Sequence, residues 1–234
     1  MINFHPDQNT LAEYSAGTID TALAIGVKTH LAFCPKCRNE VTRLSRLGGA
    51  YLEEHTPAEA VGSQDSYDEK ASFESLMAKI RAKENAVAQE NEETIAADPA
   101  RVYQIDHLPK VVQKLVNGQQ KINWKSLSPS LKQARLKTGQ AKFEVCLHKI
   151  RKGGAVAKHD HKGLEVTIVL DGAFSDEKGT YRKGDFLLRE PGESHRPTAT
   201  RDQDCLCLSM ISAPVKLSGL MGKIINPFLR ISPS

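Results

Sequence analysis

The sequence lacks the long apolar and targeting segments that would assign the protein to a membrane or to the secretory route. No apolar run approaches the roughly 20 residues that cross a bilayer. The first residues, Met-Ile-Asn-Phe-His-Pro-Asp, do not combine a cationic start with an apolar stretch, so they are not typical of a signal peptide. We therefore expect a cytoplasmic protein that does not associate with a membrane.

A concentrated charge of one sign is also missing. The net charge is only +4, and the 32 Lys and Arg residues are spread along the chain among 28 Asp and Glu. Proteins that bind DNA usually carry clustered basic residues, or a recognition helix with grouped Arg, Lys and Asn. Neither pattern occurs, so the sequence does not suggest direct binding to nucleic acid.

Cysteine is scarce, with only five residues, an odd number. The cysteines are clustered, which fits a reduced compartment better than a disulfide framework. What the sequence does contain is two groups of metal-binding residue types, well separated along the chain.

The first group is the segment His30-Leu-Ala-Phe-Cys34-Pro-Lys-Cys37 together with His5. His30, Cys34 and Cys37 are spaced i, i+4 and i+7, which places them on one face of a helix or helix–turn–helix. Two Cys and two His complete a tetrahedral zinc shell and leave no position for water, which is typical of a structural site. A redox Cys-x-x-Cys pair is the alternative, but such a pair needs no histidines at helical spacing.

Capping signals predict three short helices around this group. Asp7 caps a first helix that Gly17 ends. Asp20 caps a second helix that runs to His30, and a third begins near Pro35 because proline is favoured in a first turn. The third helix continues with apolar residues at 3–4 spacing, and a glycine pair weakens its end; these residues are Val41, Leu44, Leu47, Tyr51 and Gly48-Gly49.

A loop and a further helix are predicted next. Residues 55–67 have the composition of a loop. A short amphipathic helix follows it, marked by Phe73, Leu76, Met77 and Ile80. Its narrow apolar stripe either packs on the first three helices or is exposed to a partner, and the sequence leaves both open.

A change in composition predicts the domain boundary. Residues 84–100 are rich in Glu, Ala, Asn and Gln and have almost no large apolar side chains, which is typical of a linker. We therefore predict a helical domain over 1–83, an acidic linker over 84–104 and a second domain over 105–234.

The second domain changes to a period of two. Apolar and polar residues alternate over 142–150, and in part over 164–170 and 185–188, with glycine-containing turns between the runs. Short alternating strands with regular turns favour an antiparallel sandwich or barrel.

The second metal-binding group lies inside this β region. His159 and His161 share a strand face because they are two residues apart, and Glu165 keeps the same parity. His195 would arrive on the adjacent antiparallel strand. Three imidazoles and one carboxylate suit zinc, iron(II), manganese or nickel. A surface histidine cluster without metal is less favoured, because all four candidate ligands and their flanking glycines have the spacing of a metal site.

Both halves of the chain resemble the ChrR family of zinc-binding anti-sigma factors. The run from His5 to Cys37 is similar to the family's N-terminal anti-sigma domain. The segment from Leu108 through Trp124 to His195 is similar to its C-terminal cupin-like domain, since the second group has the spacing of the two cupin motifs. The resemblance covers nearly the whole chain.

The resemblance implies a multidomain protein, α plus all-β: a small zinc-stapled helical bundle, a linker and an antiparallel cupin β-barrel of jelly-roll type. It implies an anti-sigma factor, not an enzyme. The bundle would sequester an extracytoplasmic-function-type sigma factor from RNA polymerase and release it on an oxidative signal, singlet oxygen or organic hydroperoxide, sensed by the cupin domain.

The resemblance also implies the metal ligands. The N-terminal zinc ligands would be His5, His30, Cys34 and Cys37. The cupin site would hold zinc or another divalent metal such as iron, manganese or nickel, on His159, His161, Glu165 and His195. A small helical segment cannot bury a large core alone, so the zinc staple would fix the surface offered to sigma.

The residues leave one alternative function open, a metal-dependent cupin enzyme such as an iron(II) dioxygenase with an accessory helical domain. The first metal group favours regulation, because an enzyme would not need it. The sequence does not identify the sigma factor, the exact signal, the cupin metal or any self-association.

The remaining cysteines and histidines give weaker predictions. Cys205 and Cys207 place their sulfurs on one strand face, as buried core residues or as a thiol pair that is oxidised near the cupin metal. Cys146 and His148 also share a face, and we expect a solvated or rim position for them. Solvated positions are expected for the two histidines in loop-like sequence, His55 and His107.

Overall fold

The computed structural model describes residues 2–55, 73–82, 106–119, 122–217 and 230–233. Their contacts divide the chain into two compact units. One unit joins residues 1–48 with 108–234, and the other comprises residues 49–107. Both groups of candidate metal ligands belong to the first unit, so residues 1–48 and the β-rich part share one compact body.

Three helices open the chain: α1 (Gln8–Ala16), α2 (Thr21–Phe33) and α3 (Pro35–Glu54). The predicted caps of α1 are confirmed. The Asp7 carboxylate accepts a hydrogen bond from the backbone N–H of Thr10 at 2.7 Å. Gly17 ends the helix with φ +73°, a left-handed conformation that glycine adopts without a Cβ clash.

The predicted cap and end of α2 are wrong. The Asp20 carboxylate does not cap α2 but pairs with Lys142 Nζ at 2.7 Å, and the helix continues past His30 to Phe33. Helix α3 continues through the glycine pair at 48–49 and runs to Glu54. Each glycine lowers helix stability by only about 1 kcal/mol, and the good helix formers around the pair offset that loss.

The second unit contains helix α4, residues 73–82, which confirms the predicted amphipathic helix. Its apolar side chains are exposed: 63% for Phe73, 55% for Leu76 and 42% for Ile80. Most of the predicted loop (56–67) and the whole predicted linker (84–104) lie outside the described residues. The predicted domain boundaries therefore stay a prediction.

The β-rich part begins with helix α5 (Lys110–Asn117), which buries Val112 and Val116. Twelve strands follow: β1 (Trp124–Ser126), β2 (Leu131–Leu136), β3 (Glu144–Ile150), β4 (His159–His161), β5 (Glu165–Asp171), β6 (Ala173–Asp176), β7 (Gly179–Arg182), β8 (Phe186–Arg189), β9 (Ser194–His195), β10 (Thr198–Ala199), β11 (Cys205–Ile211) and β12 (Val215–Leu217).

These strands form three antiparallel sheets, which confirms the predicted architecture. The large sheet has the order β1-β2-β3-β11-β5-β8, and the two small ones are β10-β6-β7 and β12-β4-β9. Hydrogen bonds do not close the large sheet into a barrel within the described residues. All three sheets contribute side chains to one internal cavity, which the first small sheet borders through Phe174 and the second through His159 and His195.

Helix α2 packs directly on the large sheet, against β5, β8 and β11. The contact is close at Gly26, where an added Cβ would come within 2.3 Å of the Met210 Cε and 3.2 Å of the Ile168 Cδ1. This glycine lets the helix backbone approach the sheet. The packing places the C-terminal end of α2, which carries His30, beside the turn that leads into β8.

Within the described residues, no helix combines the length and apolar character that a membrane span requires.

Candidate metal centres

The structure brings the four residues of the first group together. The ligand atoms of His5, His30, Cys34 and Cys37 all lie within 4.8 Å of one another. His5 Nδ1 is 3.5 Å from Cys34 Sγ and 3.4 Å from Cys37 Sγ. His5 comes from the segment before α1, His30 from α2, and the cysteines from the junction of α2 and α3.

The hydrogen bond of His30 fixes its tautomer. Its Nδ1 lies 2.7 Å from the carbonyl oxygen of Gly184, which can only accept, so Nδ1 carries the proton. The other nitrogen, Nε2, is therefore an acceptor, and it is buried without a hydrogen-bond partner in the described part of the chain. Burial lowers the pKa of His30 to about 4, which keeps the imidazole neutral and able to bind a metal.

The thiols of this group are buried, 2% exposed for Cys34 and 3% for Cys37. Burial and the adjacent Cys34 thiol raise the pKa of Cys37 to about 12, so the bare site holds protonated sulfur. A bound cation would displace that proton, because the thiolate is the form that ligates. The orphaned lone pair of His30 and the two facing sulfurs fit a tetrahedral Cys₂His₂ metal site.

The structure also brings the second group together. His159 and His195 are directly opposite each other on paired strands β4 and β9, as the sequence predicted. The Nε2 atom of His195 lies 3.0 Å from that of His159 and 3.1 Å from that of His161. Glu165 begins β5 and completes the group, whose ligand atoms lie within 4.8 Å of one another.

The outer nitrogens of two of these imidazoles are held by acceptors. His159 Nδ1 donates to the Ala157 carbonyl at 2.9 Å, and His195 Nδ1 donates to the Asp176 carboxylate at 3.0 Å. Their Nε2 atoms are consequently both acceptors, and two lone pairs face each other at short range. Such an arrangement needs a cation between them, and the outer hydrogen bonds orient the rings toward it.

Electrostatics favour the neutral form of two histidines and the ionised form of the carboxylate. Burial lowers the pKa of both His161 and His195. Burial alone would raise the pKa of Glu165, but the three imidazoles and a hydrogen bond from Thr167 at 2.8 Å lower it. Three imidazole nitrogens and one carboxylate oxygen fit zinc, iron(II), manganese or nickel.

Two further residues support this group and were missed by the sequence analysis. The Asp176 carboxylate accepts from His195, from Arg189 Nη2 at 2.7 Å and from the Tyr181 hydroxyl at 2.9 Å. Burial would raise the Asp176 pKa, but these bonds and one from the Lys178 backbone lower it to about 2. Asp176 lies on β6, between the two cupin motifs. Arg189 lies on β8, within the second motif but not at one of its ligand positions, so the spacing of the ligands signals neither residue.

A third missed residue, Asp185, supports the first group. Its Oδ1 accepts from the backbone N–H groups of Asn3 at 2.8 Å and Phe4 at 3.1 Å, just before His5. Its Oδ2 accepts from the backbone N–H of Arg182 at 2.7 Å. The turn between β7 and β8 thus holds the segment that carries His5 and, through Gly184, the ring of His30.

The other cysteines lie inside the β-rich part. Cys205 and Cys207 belong to the core, with their sulfurs 3.7 Å apart, and Cys207 borders the internal cavity. The hydrogen bond with Cys205 and burial raise the pKa of Cys207 well above its usual value. A solvated or rim position is predicted for Cys146 and His148. This prediction is wrong for Cys146, which is fully buried. His148 lies at the border of the internal cavity.

This error has a physical cause. Strand β3 lies between β2 and β11, and five of its seven residues, all except His148 and Lys149, are buried. A strand covered on both faces does not reveal by alternation which face is interior. The prediction for His55 and His107 is confirmed, since both are exposed.

Comparison with known proteins identifies the family. The ChrR cupin-like domain family matches residues 112–213. A curated relative, the anti-sigma-E factor ChrR of Cereibacter sphaeroides, is 32% identical over 98% of this chain and 99% of its own length. The chain belongs to the ChrR family.

A solved structure agrees with this assignment. The crystal structure of Rhodobacter sphaeroides SigE in complex with the anti-sigma ChrR contains a chain that is 30% identical. It aligns with a TM-score of 0.66 and covers 90% of this chain and 99% of that one. Because the alignment covers nine-tenths of this chain, it supports the predicted cupin fold and a regulatory, non-enzymatic role over the dioxygenase alternative.

Proposed function

We propose that this ChrR-family protein is an anti-sigma factor that sequesters an extracytoplasmic-function-type sigma factor from RNA polymerase. The proposal includes release of sigma when the β-rich part receives an oxidative signal, singlet oxygen or an organic hydroperoxide. The proposal includes a cytoplasmic location for the protein. A sigma factor acts in transcription, which fits the cytoplasm. The five cysteines form no disulfide within the described residues, which fits a reducing compartment.

The observation that carries the proposal is an exposed apolar face on α3. Cys37 is the only residue of this helix that is buried within the described chain. Leu47, Tyr51 and Leu52 are 62%, 61% and 74% exposed. Exposed apolar side chains on one helix mark a protein-binding surface, because water contact with them is unfavourable.

The first metal group would hold zinc on His5, His30, Cys34 and Cys37. Zinc there would act as a structural cross-link between the N-terminal segment, α2 and α3. The cross-link sets the direction in which α3 leaves the junction, and with it the position of the exposed face. Loss of this metal should therefore loosen the surface that sigma binds.

The second group would hold zinc or another divalent ion on His159, His161, Glu165 and His195. Asp176 and Arg189 orient His195, and Thr167 orients Glu165. The group borders the internal cavity, so a small oxidant that enters the cavity reaches the metal and the Cys207 thiol together. The predicted domains over 1–83 and 105–234 remain part of this proposal as an output half and a sensing half.

Replacement of both N-terminal thiols tests the proposal. Cys34→Ser with Cys37→Ser removes two of four ligands, so we expect loss of one equivalent of zinc and loss of binding to the purified sigma factor. Metal content is measured by elemental analysis and binding by calorimetry. Cys146→Ser is the matched control, because it removes a buried thiol away from both groups and should leave both properties unchanged.

Tight sigma binding by the metal-depleted double variant would contradict the structural role of zinc. Failure of the wild-type protein to bind any sigma factor from the same genome would contradict the anti-sigma function itself. The two results are separable, because the first compares variants and the second concerns the unaltered chain.

A further inference from the structure

The three sheets enclose a cavity of about 480 Å³, large enough for a small organic molecule. Its walls are mainly apolar and are formed by Leu131, Ile150, Val156, Phe174, Leu187 and Leu217. Two residues of the second metal group, Glu165 and His195, line the same cavity. A molecule inside it would therefore touch both an apolar wall and the metal group.

Most polar side chains in the cavity already satisfy one another. The Gln133 amide donates to Glu144 at 3.2 Å and lies 3.2 Å from His148 Nε2. His148 Nδ1 in turn bonds to the Ser209 hydroxyl at 3.1 Å. This wall needs no ligand to satisfy its hydrogen bonds.

Arg189 is the exception. Its side chain lines the cavity and is only 8% exposed, and its Nη2 is engaged by Asp176 and Tyr181. Its Nε, however, is buried without an acceptor in the described residues. A metal ion would engage the imidazole nitrogens but could not accept this N–H, because a cation has no lone pair to offer. The guanidinium thus requires an oxygen acceptor.

We propose that the cavity binds an apolar molecule that carries an anionic oxygen at one end. The oxygen accepts from Arg189 Nε beside the metal group, and the apolar body lies along the walls. An anion is favoured over a neutral oxygen because the acceptor faces a guanidinium, and a divalent metal adds further positive charge. The inference rests on the proposed function, in that the bound molecule would be the signal or its carrier.

Octanoate and 1-octanol are the probes, because they share an apolar chain and differ in the head group. Calorimetry with the full-length, metal-loaded protein should give a dissociation constant for octanoate about ten- to a hundred-fold lower than for octanol, the range of one charge-assisted hydrogen bond. Equal affinities, or no octanoate binding, would overturn the proposal.

Two variants on strand β2 test the location. Leu131→Trp fills the cavity and should weaken octanoate binding at least ten-fold. Lys132→Trp places the same side chain on the adjacent, exposed position and should leave the affinity unchanged. Equal octanoate binding by wild type and Leu131→Trp would place the site elsewhere and overturn the proposal.

Arg189→Lys tests the head group. Lysine keeps a positive charge for Asp176 but has no Nε–H, so octanoate affinity should fall to that of octanol while octanol affinity stays the same. An unchanged octanoate preference would overturn the role of Arg189. Sigma binding is measured separately without probe, so loss of the anti-sigma function and loss of this ligand site give different results.

Discussion

At the scale of single residues, both metal groups depend on neighbours that fix the rings. Each histidine with an assigned tautomer donates its Nδ1–H outward, to Gly184, Ala157 or Asp176, and turns Nε2 toward the other ligands. A ring held in this way loses little freedom when it binds a metal. The supporting acceptors therefore contribute to metal affinity as well as to geometry.

Asp176→Asn tests this contribution at the second group. The amide cannot provide the charged acceptor that His195 and Arg189 share, so we expect metal affinity to fall about ten- to a hundred-fold. Competition with a coloured chelator measures the affinity. Glu190→Gln makes the same kind of change, carboxylate to amide, at an exposed residue and should have no effect; equal metal affinities for both variants would show that the Asp176 carboxylate is dispensable.

The thiols of Cys205 and Cys207 give a second residue-level prediction. Their sulfurs are 3.7 Å apart, and oxidation by a peroxide in the cavity could join them with loss of two protons and two electrons to the oxidant. We expect Cys205→Ser with Cys207→Ser to bind sigma normally but to release it more slowly under organic hydroperoxide. Release is followed by fluorescence of a labelled sigma factor. Unchanged release kinetics would assign the pair to core packing alone.

The ligands themselves could be predicted from sequence, but their supports could not. His30, Cys34 and Cys37 share helical spacing, and His159, His161 and Glu165 share strand parity, so local geometry suffices. Asp176, Asp185 and Arg189 act across strands that pair only in the folded protein. Contacts of that kind leave no periodic signal in the sequence.

At the scale of elements, the turn between β7 and β8 connects the two metal groups. Its Gly184 and Asp185 hold His30 and the segment before His5, and strand β8 then leads to Arg189 beside Asp176. One connection between two sheets therefore contacts the supports of both groups. A displacement of β8 at the second group would act on the first through covalently adjacent residues.

Asp185→Ala tests how the β7–β8 turn supports the first group. Removal of the carboxylate frees the backbone N–H groups of Asn3 and Phe4, so His5 becomes less well positioned. We expect zinc affinity of the N-terminal group to fall about ten-fold, within the range seen for supporting residues of metal sites. Asp202→Ala, in an exposed loop, is the control. Retention of full affinity in Asp185→Ala would exclude this coupling.

The packing of α2 on the large sheet gives a prediction on stability. Leucine at Gly26 would collide with Met210 and Ile168, and such overpacking costs about 1–3 kcal/mol of unfolding free energy. At Gly48 in α3 an added Cβ would meet nothing within 4 Å, so leucine there should stabilise the helix by less than about 1 kcal/mol. Urea denaturation of the two variants measures both changes. Equal stabilities would show that α2 can move away from the sheet at no energetic loss.

The elements could be predicted better than their packing. Alternation and capping residues predicted the helices and the main strands, because each signal lies within a few neighbouring residues. The close approach at Gly26 and the burial of both faces of β3 could not be predicted, because they depend on which surface covers each element.

At the scale of the whole molecule, the two metal groups and the cavity lie in one compact unit, while the apolar residues of α3 stay exposed. Within this unit, the cavity lies among the sheets, and Leu47 is exposed on α3. This exposure makes the output surface testable without disturbing either metal group.

Leu47→Glu with Leu52→Glu should abolish this surface. A carboxylate at each exposed position leaves the fold intact but cannot be buried against a partner without a large desolvation penalty. We expect binding to the purified sigma factor to weaken at least about thirty-fold, with zinc content and melting temperature unchanged. Leu188→Glu is the matched control, because Leu188 is 36% exposed on β8 and is not part of α3. Undiminished binding by the α3 variant, or equal weakening by the control, would move the partner surface away from α3.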